Sequence, residues 1–219
     1  NKLYRRRIKN IMEKRRVVVT GVGALTPIGN NLESYWQALK NGVSGAAPIT
    51  YFDTTNFKTK FACELKNFEV TDFLERKESR RLDKFSQYAL VVAQEAYQDS
   101  NIKEEKINPE RAGVIWGSGI GGMHTFFTES VNYAQGNGTP RFNPFFIPKL
   151  ISDIPAGHIS IKYNFMGPNF TTVSACASST NALIDAFNYI KWNKADVFIA
   201  GGSEAPIFEP GIGGFNAMM

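Results

Sequence analysis

Apolar positions along this chain alternate between short β-branched runs and stretches with helical spacing. Val17-Val18-Val19, closed by Gly21 and Gly23, predicts a buried strand and its turn. Asn30 then precedes a helix in which Leu32, Tyr35, Trp36 and Leu39 fall at i, i+3, i+4 and i+7, with Asn41-Gly42 as its stop. Residues 43–58 read as loop and residues 60–65, which include Cys63, as a strand. A helix is predicted over 80–100, with Leu82, Phe85, Ala89, Val92 and Ala96 on one face. The strand predicted at 111–116 runs into a glycine turn at 117–122, followed by a helix to about Ala134 and a Gly/Pro loop through Pro148. Beyond it come a helix over 149–163, a strand over 170–174, a helix over 178–192 and a strand over 195–200 that ends in Gly201-Gly202. Strands alternating with helices imply βαβ units, hence an α/β fold with a mainly parallel sheet in one domain. Gly211, Gly213, Gly214 and Phe215 read as a loop, and the expectation is a fragment whose sheet is left with an uncovered edge or face.

Composition narrows the setting. Of the 219 residues, 43% are apolar and 21% charged, which fits a folded chain and not a disordered one. The longest apolar run, Tyr88 to Ala93, falls far short of the ~20 residues of a membrane span, and the start lacks the apolar stretch of a secretory signal. Cys63 and Cys176 are far apart, as are His124 and His158, so no metal-ligand spacing and no disulfide framework is present; a reducing, cytoplasmic setting follows. The net charge of +5 invites a nucleic-acid reading. Its location argues otherwise, because residues 1–16 hold eight basic side chains against Glu13, while the other 203 residues carry 17 basic and 19 acidic groups. Residues 1–11 are set aside as an N-terminal extension, and 12–219 are taken as the folding unit.

Three features could carry chemistry. Gly117, Gly119 and Gly122 have the G-x-G-x-x-G spacing between a strand and a helix, but the region where a ribose-binding acid would be needed (135–144) has none. A dinucleotide site is therefore disfavoured, and the turn reads as close backbone packing or a pocket wall with Ile120 reaching in. Cys176 lies in Val173-Ser174-Ala175-Cys176-Ala177-Ser178, with a strand ending before it and a helix beginning after it. That placement lets helix N-terminal amides favour a thiolate and hold the oxyanion of a tetrahedral intermediate. Neither histidine has a carboxylate at helical spacing, so the nucleophile has no obvious base. Lys77, Arg80 and Arg81 form a basic cluster that is either a solvated helix face or a dock for an acidic partner.

At these residues the sequence resembles the β-ketoacyl-[acyl-carrier-protein] synthases, nearest to the type II elongating enzymes of fatty-acid synthesis. The matching stretches are RRVVVTGVGALTPIG (15–29), GSGIGG (117–122), PFFIP (144–148), VSACAS (173–178) and ADVFIAGGSEAPIFEPGIGGF (195–215), all in the family's order. The resemblance implies the N-terminal half of a thiolase-like, layered αβαβα fold. It implies that Cys176 takes an acyl group from acyl-carrier protein, and that malonyl-carrier protein then loses CO2 and attacks the thioester in a Claisen condensation. Ile120 and Phe215 would line the acyl pocket. Lys77, Arg80 and Arg81 would meet the carrier protein, and Phe145-Phe146 would lie near a homodimer interface. No cofactor, metal or nucleic acid is implied. The family's two catalytic histidines, its lysine and its phenylalanine gate belong to the other half, and His124 and His158 do not match them, so impaired condensation is expected of this chain alone. A ketosynthase module of polyketide assembly and a non-catalytic dimerising scaffold remain as alternatives, with a nicotinamide-dependent enzyme further off.

Overall fold

A computed structural model of the protein describes residues 15–103 and 106–218. The basic extension expected over 1–11 lies outside them.

The elements follow from local chemistry. Helix α1 (Leu32–Lys40) begins one residue later than Asn30 implied, at a reciprocal cap: Ser34 N–H donates to Asn31 Oδ1, and Asn31 N–H to the Ser34 hydroxyl. Its expected apolar face does not pack as a unit; Ala38 is its buried residue, and Trp36 and Leu39 are exposed. Strands β1 (Ala47–Pro48) and β2 (Phe61–Ala62) form a two-residue antiparallel ladder, much shorter than the strand expected over 60–65. The helix expected over 80–100 is α3 (Lys84–Asp99), and a separate short helix that the expectation did not include, α2 (Arg76–Ser79), precedes it. Asp83 divides them, because its carboxylate accepts the Phe85 N–H and caps α3.

Strand β3 (Ala112–Gly117) is buried at all six positions and organises the molecule. After it come α4 (Met123–Gln135), then α5 (Phe146–Leu150) and α6 (Ile154–Tyr163) in place of one helix over 149–163. Pro155 sits in the first turn of α6, where its missing N–H costs nothing but an uninterrupted helix could not pass. Strand β4 (Asn169–Thr172), helix α7 (Ser178–Lys191), strand β5 (Val197–Gly202) and helix α8 (Glu209–Ala217) complete the order. β3 is central and parallel to both neighbours, with Gly117 opposite Thr172 of β4 and Gly202 of β5.

The period-two alternation of β3 builds a core on each face of this sheet. Val114 and Trp116 pack with Leu90 and Ala93 of α3 and with Ala156 and Ile159 of α6. Ile115 points the other way, onto Ala182 and Ala186 of α7. Each fully buried aliphatic side chain contributes about 1.5–3 kcal/mol of transfer free energy.

Two further expectations are corrected. The strand at Val17–Val19 does not form, and Val18 and Val19 are 59% and 82% exposed. The chain lies along α3 instead. There Val22 N–H donates to Asp99 Oδ2 (2.9 Å) and Ala24 N–H to Glu95 Oε2 (2.8 Å). Gly21 and Gly23 permit this approach, because a Cβ on either would strike the α3 backbone. The second correction is Gly211–Phe215, expected as loop and found inside α8. Glu209 and Pro210 suit the first turn of a helix, Phe208 is buried just before it, and Thr59 Oγ1 donates to Asn216 Oδ1 (2.6 Å) at its far end. Among the described residues no helix is long and apolar enough to cross a membrane.

The entry into β5 is fastened by charge. Asp196 receives Arg111 Nε (2.6 Å) and Arg15 Nη1 (2.6 Å). The hydrogen bond from Arg111, seconded by Arg15, holds the Asp196 carboxyl down to about 2. Stability from this group is therefore present above the ordinary value of 3.8 and lost as pH falls through about 2. Asp196→Asn is expected to cost about 1 kcal/mol or less at pH 7, since the pair is solvent-screened, and to flatten the acid limb between those limits. Urea titrations across that pH range check both.

Candidate active site

After β4, Val173 and Ser174 lead into a 3-10 turn, Ala175–Ala177, and α7 begins at Ser178. Ala175 adopts φ +51, the left-handed region that costs a non-glycine residue about 1–2 kcal/mol. The next residue, Cys176, is exposed and not disulfide-bonded. A strained strand-to-helix turn that lifts a nucleophile clear of its sheet is the geometry of an elbow.

Ser178 buckles this elbow. It is 3% exposed, and its hydroxyl accepts the Ser174 N–H (2.9 Å) and donates to the Ala175 carbonyl (2.7 Å). Thr172 Oγ1 in turn donates to the Ser178 carbonyl (2.8 Å). The Ser178 N–H donates to the Ala175 carbonyl, and the first turn of α7 has no side-chain cap, so the positive end of its dipole faces negative charge at the elbow.

The glycine turn after β3 lies against the same elbow. A Cβ on Gly117 would run into the Ser178 backbone, and one on Gly119 would sit 3.4 Å from the Ala175 carbonyl oxygen. The amides of this turn are already engaged. Gly119 N–H (2.6 Å) and Ile120 N–H (3.2 Å) donate to Glu204 Oε2, and the Ser118 hydroxyl (3.2 Å) donates to Oε1. A dinucleotide phosphate would have to displace Glu204, a second reason against that reading. Burial pushes the Glu204 carboxyl above its ordinary value, the three donors pull it back, and the charge of Asp83 adds to the rise.

The remaining candidates are spread out. Ile120 follows Gly119 and is 37% exposed; Phe215, on α8, is 55% exposed, and its neighbour Asn216 lies against Thr59. An apolar cavity of about 580 Å3 is lined by Val17–Gly23, Leu183, Phe187, Ile190 and β5, and by none of Cys176, Ile120 or Phe215. His124 packs edge-on against Phe208 at 5.2 Å between centroids, and burial pushes its imidazole below the ordinary value. No hydrogen bond joins Cys176 to His124 or His158 among the described residues. Lys77, Arg80 and Arg81 are exposed around α2, and with Arg76, Asn143, Pro144 and Phe145 they line an open cleft of about 530 Å3. The Arg81 guanidinium stands 5.1 Å from the Phe145 ring centroid. Among the described residues no group of three metal-ligating side chains comes together.

Sequence reasoning assigned no role to Ser178 or Glu204. The signal for Glu204 was present: GSG follows β3 and GGSE closes β5, and parallel neighbours bring such ends side by side.

Together these features define an α/β protein with a cysteine elbow at the C-terminal ends of parallel strands. By the match of residues 14–219 to the Beta-ketoacyl synthase, N-terminal domain, the chain belongs to the β-ketoacyl synthase family. The 3-oxoacyl-[acyl-carrier-protein] synthase 2 of Staphylococcus aureus (strain COL) is 44% identical over 205 residues, 94% of this chain and 49% of that protein. The protein of the same name from Synechocystis is 41% identical over 204 residues, covering 93% and 49%. Among solved structures, the ishigamide ketosynthase/chain length factor superposes with a TM-score of 0.86 at 26% identity, over 94% of this chain and 51% of that one. A β-ketoacyl synthase from Burkholderia phymatum gives 0.77 at 26%, over 93% and 50%. The chain thus spans about half the length of the curated relatives it matches.

Ser178→Ala removes the buckle and leaves the Ser174 N–H and one lone pair of the Ala175 carbonyl to water. A loss of about 1 kcal/mol in urea unfolding is expected, the low end for a polar group stripped of its partner, because both residues are exposed.

Proposed function

We propose that this segment carries the acyl-loading site of a condensing enzyme of fatty-acid synthesis. The observation that carries the reading is the exposed Cys176 on a strained elbow, one turn from uncapped helix amides. In this mechanism the Cys176 sulfur attacks the thioester carbonyl of an acyl-carrier protein. The tetrahedral oxyanion is held by amides at the elbow and collapses to expel the carrier's thiolate, leaving the acyl group on Cys176. Malonyl-carrier protein then loses CO2, and the resulting carbanion attacks the Cys176 thioester, releasing the cysteine thiolate and 3-oxoacyl-carrier protein.

The condensation step needs proton handling that His124 and His158 are not placed to supply. The isolated chain is accordingly expected to load better than it condenses. Ile120 and Phe215 are assigned to the acyl pocket by family resemblance. Lys77, Arg80 and Arg81 are assigned to carrier docking, supported by their exposure around a cleft with a polar and aromatic floor. A homodimer contact near Phe146 is supported by a ladder of stacked rings in which Phe142–Phe146 (5.4 Å) and Phe126–Phe146 (6.3 Å) leave Phe126 and Phe142 exposed. A cytoplasmic setting would keep the cysteine reduced. The polyketide alternative draws on the ishigamide neighbour, but 26% identity there against 44% to a 3-oxoacyl-[acyl-carrier-protein] synthase 2 favours the first reading.

Incubation of the chain with acyl-carrier protein is expected to add one acyl mass to the peptide bearing Cys176, none to Cys63, and none anywhere in Cys176→Ala. Acylation of both cysteines alike, or of neither, refutes the reading and supports the scaffold alternative. Paired reversal of Lys77 and Arg80 to Glu is expected to slow loading from the carrier about tenfold at low salt, while loading from a small soluble thioester is unchanged.

A further inference from the structure

We propose that Glu204 is a positioning residue that locks the glycine turn bearing Ile120 onto the Cys176 elbow, so that nucleophile and acyl pocket form one rigid unit. The inference rests on the acyl-transfer reading and adds to it the group that fixes their relative placement.

The register of β3 and β5 sets up the contact. Gly117 faces Gly202, and Ser203 N–H donates to the Gly117 carbonyl (3.1 Å), extending the pairing by one residue. Glu204 is therefore delivered beside Ser118 and Gly119. Donors of four consecutive residues converge on it, directly or through one hydroxyl. Gly119 and Ile120 N–H reach Oε2, the Ser118 hydroxyl reaches Oε1, and Gly121 N–H donates to the same Ser118 oxygen (3.1 Å). Ser118 is 1% exposed, so no water competes for that relay. The same turn touches the elbow: a Cβ on Gly119 would lie 3.0 Å from Glu204 Oε2 and 3.4 Å from the Ala175 oxygen, so the carboxylate and the elbow meet at the one glycine. Ile120 follows Gly119 and Cys176 follows Ala175, so the two functional side chains issue directly from the two contacting residues.

The charge has no other evident employment. Among the described residues no lysine or arginine lies within ion-pair distance of Glu204, and Asp83 adds like charge. A carboxylate kept in such a place is retained for the backbone it orders. A glutamine there would still accept both amides through its carbonyl oxygen, whereas an alanine would release the turn.

The test uses the 219-residue chain and alkylation of Cys176 by iodoacetamide and by N-octyl iodoacetamide, read by peptide mass spectrometry with exposed Cys63 as internal reference. The apolar tail should favour Cys176 over Cys63 by about fivefold, the worth of roughly 1 kcal/mol of apolar burial. Glu204→Ala should erase that preference while Cys63 is unchanged, and Glu204→Gln should keep it to within about twofold. This rescue by the isostere separates positioning from a need for charge. Circular dichroism establishes that each variant is folded. Should Glu204→Ala not fold, Ser118→Ala decides, with a drop of about two- to threefold expected and no drop overturning the proposal. A preference that survives in folded Glu204→Ala overturns the coupling alone. An unmodified chain with no octyl preference at Cys176 overturns the acyl-pocket reading, and the coupling with it.

Discussion

The site depends on the register of one buried strand. β3 pairs on both sides with parallel neighbours, and Gly117 falls level with Thr172 and Gly202. Three strand ends therefore stop at one height, and the turns that follow meet above the sheet. A slip of one residue would turn Ile115 toward α3 and Trp116 toward α7, exchanging the contents of both cores. The packing that stabilises the fold thus also specifies which turns can touch.

What meets there is mostly backbone and small polar side chains. Gly117 permits an approach that any Cβ would obstruct, and Ser178 supplies a hydroxyl where the elbow needs both an acceptor and a donor. Deeper in, Trp116 Nε1 donates to Ser203 Oγ (2.9 Å), which donates to the Phe85 carbonyl (2.7 Å), so the residue beside Glu204 is also tied to α3. Asp83 caps α3 and accepts the Thr125 N–H (3.1 Å) at the start of α4. Each of these polar groups is paired, where an unpaired one at this depth would cost about 1–3 kcal/mol. The strain at Ala175 is sustained by neighbours that are themselves fixed.

Local patterns failed where a neighbour decided the outcome. The Val17–Val19 run has every local mark of a strand, yet the residues that follow it are claimed by α3, whose Asp99 and Glu95 carboxylates accept the Val22 and Ala24 amides. The glycines of residues 211–215 argue against helix one by one, but a proline start, a buried Phe208 and the tie to Thr59 outweigh roughly 1 kcal/mol of propensity per glycine. The helix starts at Asp83 and Pro155 were legible in principle, since one is a cap and the other a helix-start residue; at Asp83 an apolar stripe running from Leu82 to Phe85 masked it.

By itself the sequence determined the α/β alternation, the parallel sheet, and a cysteine at a strand-to-helix turn, because these follow from periodicity and from residue types that report their own backbone geometry. It also carried the motif order that marks the family. Tertiary structure alone decided that Glu204 reaches the glycine turn and that Phe215 rides on a helix tied to Thr59. The first contact joins residues up to 86 positions apart and the second 157, and no local pattern encodes which distant donor a carboxylate will find once the strands have chosen their register.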